Sequence, residues 1–340
     1  MATLYLARYL AREGKRVIVA AQLVEQECTE CGVEFWDIGP TYDIEALLKR
    51  ARILGGYHLI SSGRAIPIIL AQNEELCLSR IIISHDRSSN DTGLKPQILA
   101  GLVDQIVCVS NAQKDFFLAD GVSEEKLSVI YNGVDQDIFS PGDPGQRDYK
   151  NLVFAGALVP DKGIDLLIES FISLKGKYRD LTLDVFGTAG LWGRKSFFDE
   201  KEIERNVPGI KFHGAVPQKE VASAYAKAAI TVVPSIWFDP FPLSSIEAQV
   251  TGCPVVTFDV GGLAEGVVHG QTGIVIPEVS RESLTLTLDE LLSSPDRLRD
   301  MSAQALKLAR ERFRWDKVAR AIIKISEGAN TAQEIKIESK

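Results

Sequence analysis

The sequence predicts an α/β protein built from two parallel-sheet halves, and three observations carry that prediction. The chain has 340 residues, more than one compact core usually serves, so two domains are expected. Short, wholly apolar runs recur without polar alternation, as strands buried on both faces require. Helical patterns separate these runs, which is the rhythm of α/β folds.

The elements follow in order. A helical stretch from Thr3 to Glu13 precedes the run Arg16-Val17-Ile18-Val19-Ala20. Ile81 to Ser84 and Gln105 to Val109 read as further strands of the first half. In the second half the strand-like runs are Leu152 to Ala155, Leu181 to Phe186, Ile230 to Val233 and Pro254 to Thr257. Helical patterns at Ile164 to Leu174 and Lys219 to Ala229 lie among them. Between the halves, Phe139-Ser140-Pro141-Gly142-Asp143-Pro144-Gly145 reads as a linker because prolines and glycines crowd it. The expected division is 1–140, 141–318, and a last helix with a polar tail over 319–340. A doubly wound half should open with a strand, a glycine turn and a helix. This chain opens inside the helix, so the first half is expected to lack its first strand and glycine turn.

Composition narrows the function classes. A formal net charge of -8 argues against a nucleic-acid partner, since such domains carry a basic face. It leaves room for one phosphorylated ligand at a local positive site. No run of about 18 apolar residues appears, so no membrane span is expected. Arg8, Arg12, Glu13, Lys15 and Arg16 interrupt the first twenty residues and leave no signal-peptide core. The cytoplasm is the expected location, with peripheral membrane contact compatible. Cys28-Thr29-Glu30-Cys31 is a lone C-x-x-C without the second pair a zinc ribbon needs, so no metal site is expected. Its thiols read as free and at a surface turn, whereas Cys108 and Cys253 read as small buried hydrophobes.

The strongest chemical signal runs from Pro234 to Ala248. A strand ends in a proline-rich turn and a helix starts near Ser244, stopping at Gly252-Cys253-Pro254. Ligands of open α/β sheets bind beyond the carboxyl ends of strands. A helix N-terminus there suits a diphosphate. Asp239 before the helix and Glu247 inside it would repel phosphates, so they fit better as acceptors for sugar and ribose hydroxyls. Ser244-Ser245-Ile246-Glu247 is equally a capping box, with Glu247 returning to the Ser244 amide; spacing alone leaves both open. Gly156 to Gly163 is a second signal, with Lys162 either a point charge for phosphate or a solvated loop lysine. Gly261-Gly262 is a third and weaker one, either a ligand approach or a plain turn. His85, after the strand Ile81 to Ser84, is a cleft-facing residue or a packed histidine. Trp192 and Trp237 are either cleft residues or core.

Taken together, these segments resemble the family-4 retaining glycosyltransferases. The resemblance covers nearly the whole chain in one order. It runs through Val109-Ser110, Asn132-Gly133-Val134-Asp135 with Phe139 and Pro141, and Gly156 to Gly163. It continues through Phe212-His213-Gly214-Ala215-Val216, Pro234-Ser235, Asp239 to Glu247, Gly261-Gly262 to Glu265, Gly273 and Phe313-Arg314-Trp315-Asp316. It implies a GT-B fold, two Rossmann-like domains facing across a cleft, with the donor nucleotide held by the second. It also implies a last helix that crosses back to the first domain. By the same resemblance Glu247 binds the ribose, and Asp239 takes the place of the glutamate that contacts the transferred sugar. Phe241 and Leu243 offer backbone amides to the diphosphate, beside Gly156, Pro242 and Ser244. Lys162 supplies charge and Val216 meets the base. Asp239 and Lys162 are the catalytic candidates, and His85 is the acceptor-side candidate. No metal or other cofactor is implied; a UDP-, GDP- or ADP-linked sugar is the co-substrate, and a glycan, polysaccharide or lipid-linked molecule the acceptor.

Four departures stand out. Asp239 replaces a glutamate, Pro242 stands where glycine is common, and Ala157 stands where a phosphate-binding arginine is usual. In the first half, besides the missing strand and glycine turn, Gly63 falls where a histidine often lies near the sugar. Two functions follow: an active sugar transferase, or a truncated relative that binds nucleotide without transfer. A nucleotide-sugar epimerase fits the paired carboxylates less well. A dinucleotide-dependent oxidoreductase lacks its G-x-G-x-x-G after a strand.

Overall fold

The computed structural model describes residues 2–22, 26–85, 93–189 and 198–328. The chain divides into two compact units, Met1–Gly133 with Trp315–Lys340, and Val134–Arg314.

The first unit runs α1 (Ala2–Arg12), β1 (Val17–Ala21), β2 (Cys28–Glu30), β3 (Val33–Asp37), α2 (Ile44–Arg52) and β4 (Tyr57–Ser62). It continues with α3 (Ile66–Leu70), β5 (Cys77–Ser84), α4 (Pro96–Leu102), β6 (Gln105–Cys108), α5 (Asn111–Ala119) and β7 (Leu127–Val129). Its strands form two sheets, β1-β3-β2 and the parallel β4-β5-β6-β7. Among the described residues β1 and β4 are therefore edge strands. Ala20 of β1 nevertheless shares an apolar cluster with Tyr57 and Leu59 of β4. All five residues of β1 are apolar and only half-buried, whereas a strand inside a parallel sheet is covered on both faces. Among the described residues no strand pairing joins β1 to β4. The β2–β3 hairpin turns through Cys31 and Gly32, both at positive φ (52° and 78°), the conformation that matches the twist of paired strands. Cys28 and Cys31 are exposed free thiols on this hairpin, while Cys108 and Cys253 are buried.

The second unit runs β8 (Asp148–Ala155), α6 (Ile164–Lys175), β9 (Thr182–Phe186), α7 (Glu200–Asn206), β10 (Ile210–Gly214) and α8 (Gln218–Lys227). Then follow β11 (Ala228–Val233), α9 (Leu243–Val250), β12 (Val255–Phe258), β13 (Gly273–Ile276), α10 (Arg281–Leu292) and α11 (Pro295–Arg312). Its six strands are all parallel in the order β10-β9-β8-β11-β12-β13. That is the doubly wound order, in which the chain reverses direction of winding between β8 and β11. Every residue of β11 and β12 is buried, as central strands of a covered sheet must be. Leu152, Phe154, Leu183 and Val185 pack with Leu167, Phe171, Leu288 and Leu291 into the core of this unit. The last helix, α12 (Trp315–Ser326), belongs to the first unit and packs on α1 and β5. No described helix is long and apolar enough to cross a membrane.

The division differs from the sequence expectation. The chain enters the second unit at Val134 and leaves it at Arg314, not at 141 and 318. The Val134 amide donates to the Phe313 carbonyl at 3.0 Å, and Gln136 Nε2 donates to the Arg310 carbonyl at 2.8 Å. Phe139 in the expected linker is 1% exposed, its ring 6.4 Å from that of Tyr225. A buried aromatic pins that proline-glycine stretch into the second core, so it is no free linker.

Candidate functional site

Three loops meet beyond the carboxyl ends of β8, β11 and β12. Gly163 ends the β8 loop at φ 64°, and a Cβ there would lie 1.9 Å from the Pro234 carbonyl oxygen. Only glycine lets the β8 and β11 loops touch so closely. The Ile236 and Trp237 amides both donate to the Asp161 carbonyl, at 3.0 and 3.3 Å. The Gly262 amide donates to the Asp239 carbonyl at 2.8 Å, and Gly261 (φ 59°) has no room for a Cβ beside the same oxygen. The paired glycines thus seat the β12 loop on the backbone of Asp239.

Within this cluster Lys162 Nζ donates to Asp239 Oδ2 in an ion pair, with side-chain exposures of 29% and 12%. The two residues that sequence reasoning named as catalytic candidates are brought together, each the other's side-chain partner. Ala157 is buried and adds no charge. Gly156 is half-buried, and its amide donates to the Phe186 carbonyl at 3.0 Å. It therefore shapes the loop without a spare donor.

Helix α9 starts one residue earlier than the sequence suggested. Pro242 is its N-cap and no side chain caps it. Leu243 and Ser244 are its first two residues, so their amides lie in the turn that no backbone carbonyl of the helix reaches. The partial positive charge of the helix is concentrated at that end. The capping box is not formed: Ser245, not Glu247, is third in the helix, and Glu247 sits two residues too deep. Among the described residues the Glu247 carboxyl has no hydrogen bond or ion pair, and desolvation pushes its pKa up to about 7. An unpaired carboxyl one turn inside a helix with no side-chain cap is an arrangement that structure alone does not need. Phe241 is 5% exposed, its ring 6.0 Å from Phe313, and anchors the loop by its side chain.

Other candidates fall elsewhere. Val216 is half-buried in the turn from β10 to α8. His85 is in the first unit, where it lines a small cavity with Asn132 and Trp315. Trp237 is 52% exposed, not core, while Trp192 lies outside the described residues. Among the described residues no group of three or more His, Cys, Asp or Glu is placed to hold a metal.

Sequence reasoning missed one cluster. His213 Nε2 meets Asp184 Oδ1 at 2.6 Å, and Asn151 Nδ2 donates to Asp184 Oδ2 at 2.8 Å. The His213 ring stacks on Phe186 at 4.3 Å. A break in register between Phe212 and Gly214 re-aims this side chain, as a bulge does. No spacing in the sequence links residues on three strands.

Comparisons with known proteins match these features. The family model described as "Glycosyl transferases group 1" matches residues 136–308, and that described as "Glycosyltransferase Family 4" matches residues 2–138. An uncharacterized glycosyltransferase of Methanocaldococcus jannaschii is 29% identical over 66% of this chain and 59% of its own length. D-inositol 3-phosphate glycosyltransferase of Frankia alni is 30% identical over 67% of this chain and 59% of its own length. The chain thus matches under two thirds of the length of these relatives. Among solved structures, sucrose-phosphate synthase of Thermosynechococcus elongatus superimposes with a TM-score of 0.77 at 16% identity, covering 95% of this chain and 91% of that one. Anabaena HepE, crystallised with UDP-glucose, superimposes with a TM-score of 0.73 at 18% identity, covering 95% and 94%. These likenesses show the fold, two Rossmann-like units of the GT-B type.

Proposed function

The chain belongs to the group 1 glycosyl transferases, and we propose that it moves a sugar from a nucleotide-diphosphate sugar to a glycan, polysaccharide or lipid-linked acceptor. The observation that carries this is the meeting of Lys162, Asp239 and the uncapped start of α9, with Glu247 unpaired, at the crossover of a doubly wound sheet. Crossovers of that kind are where such sheets bind nucleotides. The α9 amides of Leu243 and Ser244, with Lys162, receive the diphosphate. The Phe241 backbone, Pro242 and Gly156 shape its walls, and Val216 borders the base. Glu247 accepts ribose hydroxyls and Asp239 accepts those of the sugar.

The reaction is retaining and needs no metal. The acceptor oxygen attacks the anomeric carbon from the face the diphosphate leaves. The bond from that carbon to the phosphate oxygen breaks as the new glycosidic bond forms, and the acceptor proton passes to the departing phosphate. The protein's part is to stabilise the charge that grows on the leaving diphosphate. His85 stands on the acceptor side, in the first unit. The enzyme would work in the cytoplasm, peripheral to a membrane where its acceptor is lipid-linked. UDP is the first nucleotide to test, because HepE was crystallised with UDP-glucose.

One observation favours a second reading, a relative that binds nucleotide without transferring sugar: among the described residues the strands of the first unit form two separate sheets, with no pairing between β1 and β4. Donor turnover decides between them. Incubation with UDP-, GDP- or ADP-glucose, followed by NMR, should release nucleoside diphosphate and an α-configured sugar or glycoside. The rate should fall by roughly 100-fold in Lys162→Ala, the scale of losing one stabilising donor. Tight binding with no release of sugar, both in donor alone and with glycan and lipid-linked acceptors added, would favour the second reading.

A further inference from the structure

The Lys162–Asp239 pair poses a question of charge. Asp239 is the counter-ion of Lys162, and among the described residues neither side chain has another hydrogen-bond or ion-pair partner. A diphosphate that takes Lys162 must displace that carboxylate and then lie beside it. Two like charges at that range oppose each other at a cost binding experiments detect. Asp239 is held in place meanwhile, since Gly262 grips its backbone carbonyl at 2.8 Å and Gly261 closes over it. A carboxylate carried on that backbone needs a new donor once Lys162 turns to the phosphates, and a ligand can bring one. Sugar hydroxyls are such donors, and a bare nucleoside diphosphate brings none to that position.

We propose that Asp239 makes the site discriminate between the sugar-bearing donor and the bare nucleoside diphosphate. Its carboxylate is the counter-ion of Lys162 in the empty site, the acceptor of sugar hydroxyls in the donor complex, and an unpaired charge against the phosphates once the sugar has left. The third state favours product release and return of Lys162 to Asp239. This rests on the donor-site reading above. Glu247 plays no part in the discrimination, because a ribose is present in both ligands. Lys162 serves both ligands and sets the strength of each.

The test is calorimetric titration of the wild-type chain, Asp239→Asn and Asp239→Ala with UDP and with UDP-glucose, and with the GDP and ADP pairs if those bind instead. The expected result is an affinity for the bare diphosphate that rises about tenfold in both variants. Affinity for the sugar-bearing form should stay level or fall, so the ratio between the two ligands collapses. Lys162→Met should weaken both. Thermal melts of each variant show that it is folded, and Asp239→Ala guards against an effect peculiar to the amide. A bare-diphosphate affinity that is unchanged or weaker in both folded variants would overturn the proposal while leaving the donor site intact. A folded wild-type chain that binds none of these nucleotides would overturn the donor site and this inference with it.

Discussion

Glu247 shows how far one residue can be read from sequence. Its type and its place near a helix start were plain, yet cap and ligand remained equal until the helix was seen to begin at Leu243. An N-cap at Pro242, two residues before the Ser244 the capping box needs, removed that box and left a carboxyl raised to about 7 by burial. A carboxyl raised in the folded state favours folding while protonated. That contribution is full below the ordinary value near 4.5 and is lost as pH climbs through about 7. Glu247→Gln removes the penalty, so the variant should be more stable than the wild type by about 3 kcal/mol at pH 8 and about equal at pH 4.5. Urea melts at the two pH values measure this. An equal gap at both would show that the carboxyl does not titrate as its burial implies. Lys162 and Asp239 were legible as residue types, but their pairing was not, because the two lie 77 positions apart. The Asp184–His213 cluster was hidden for the same reason. His213→Ala should lower stability by about 1–2 kcal/mol, through the lost stacking and hydrogen bond. Chemical denaturation would test that, and an unchanged midpoint would mean the cluster is held by something other than this ring.

At the scale of elements, the apolar runs gave the buried strands to within a residue or two at most ends. Periodicity did so because central parallel strands such as β11 and β12 have no polar face to confuse it. The edges were harder. The start of α9 depends on a proline N-cap without a side-chain bond, which carries no capping signature. The expected linker failed because one phenylalanine, Phe139, is buried within it, and tertiary burial outweighs local turn composition. The loops over β8 and β11 depend on Gly163 more than on any side chain. Gly163→Ala should cost about 2–3 kcal/mol, since it adds strain at positive φ and a Cβ against the Pro234 carbonyl. Nucleotide binding should weaken with it, because the two loops that carry Lys162 and Asp239 would part. A thermal melt and a titration on the same variant check both. Full stability in Gly163→Ala would mean that the loops can separate without loss.

For the whole molecule, the class of fold was legible and the wiring was not. Strand order β10-β9-β8-β11-β12-β13 arises from pairings distant in sequence. Yet the alternation of buried strands and helices, with right-handed crossovers, leaves few other parallel arrangements. The return of α12 to the first unit and the division of that unit's described strands into two sheets are likewise properties of assembly. What the order creates is a single place where the β8, β11 and β12 loops converge, and the central claim is that a nucleoside diphosphate binds there. Calorimetric titration of the purified chain with UDP, GDP and ADP, repeated on Glu247→Ala, tests it most directly. Binding of one nucleotide, weakened at least about tenfold in the variant, is the predicted result. A folded chain that binds none of the three, or a variant that binds as well as the wild type, would contradict it.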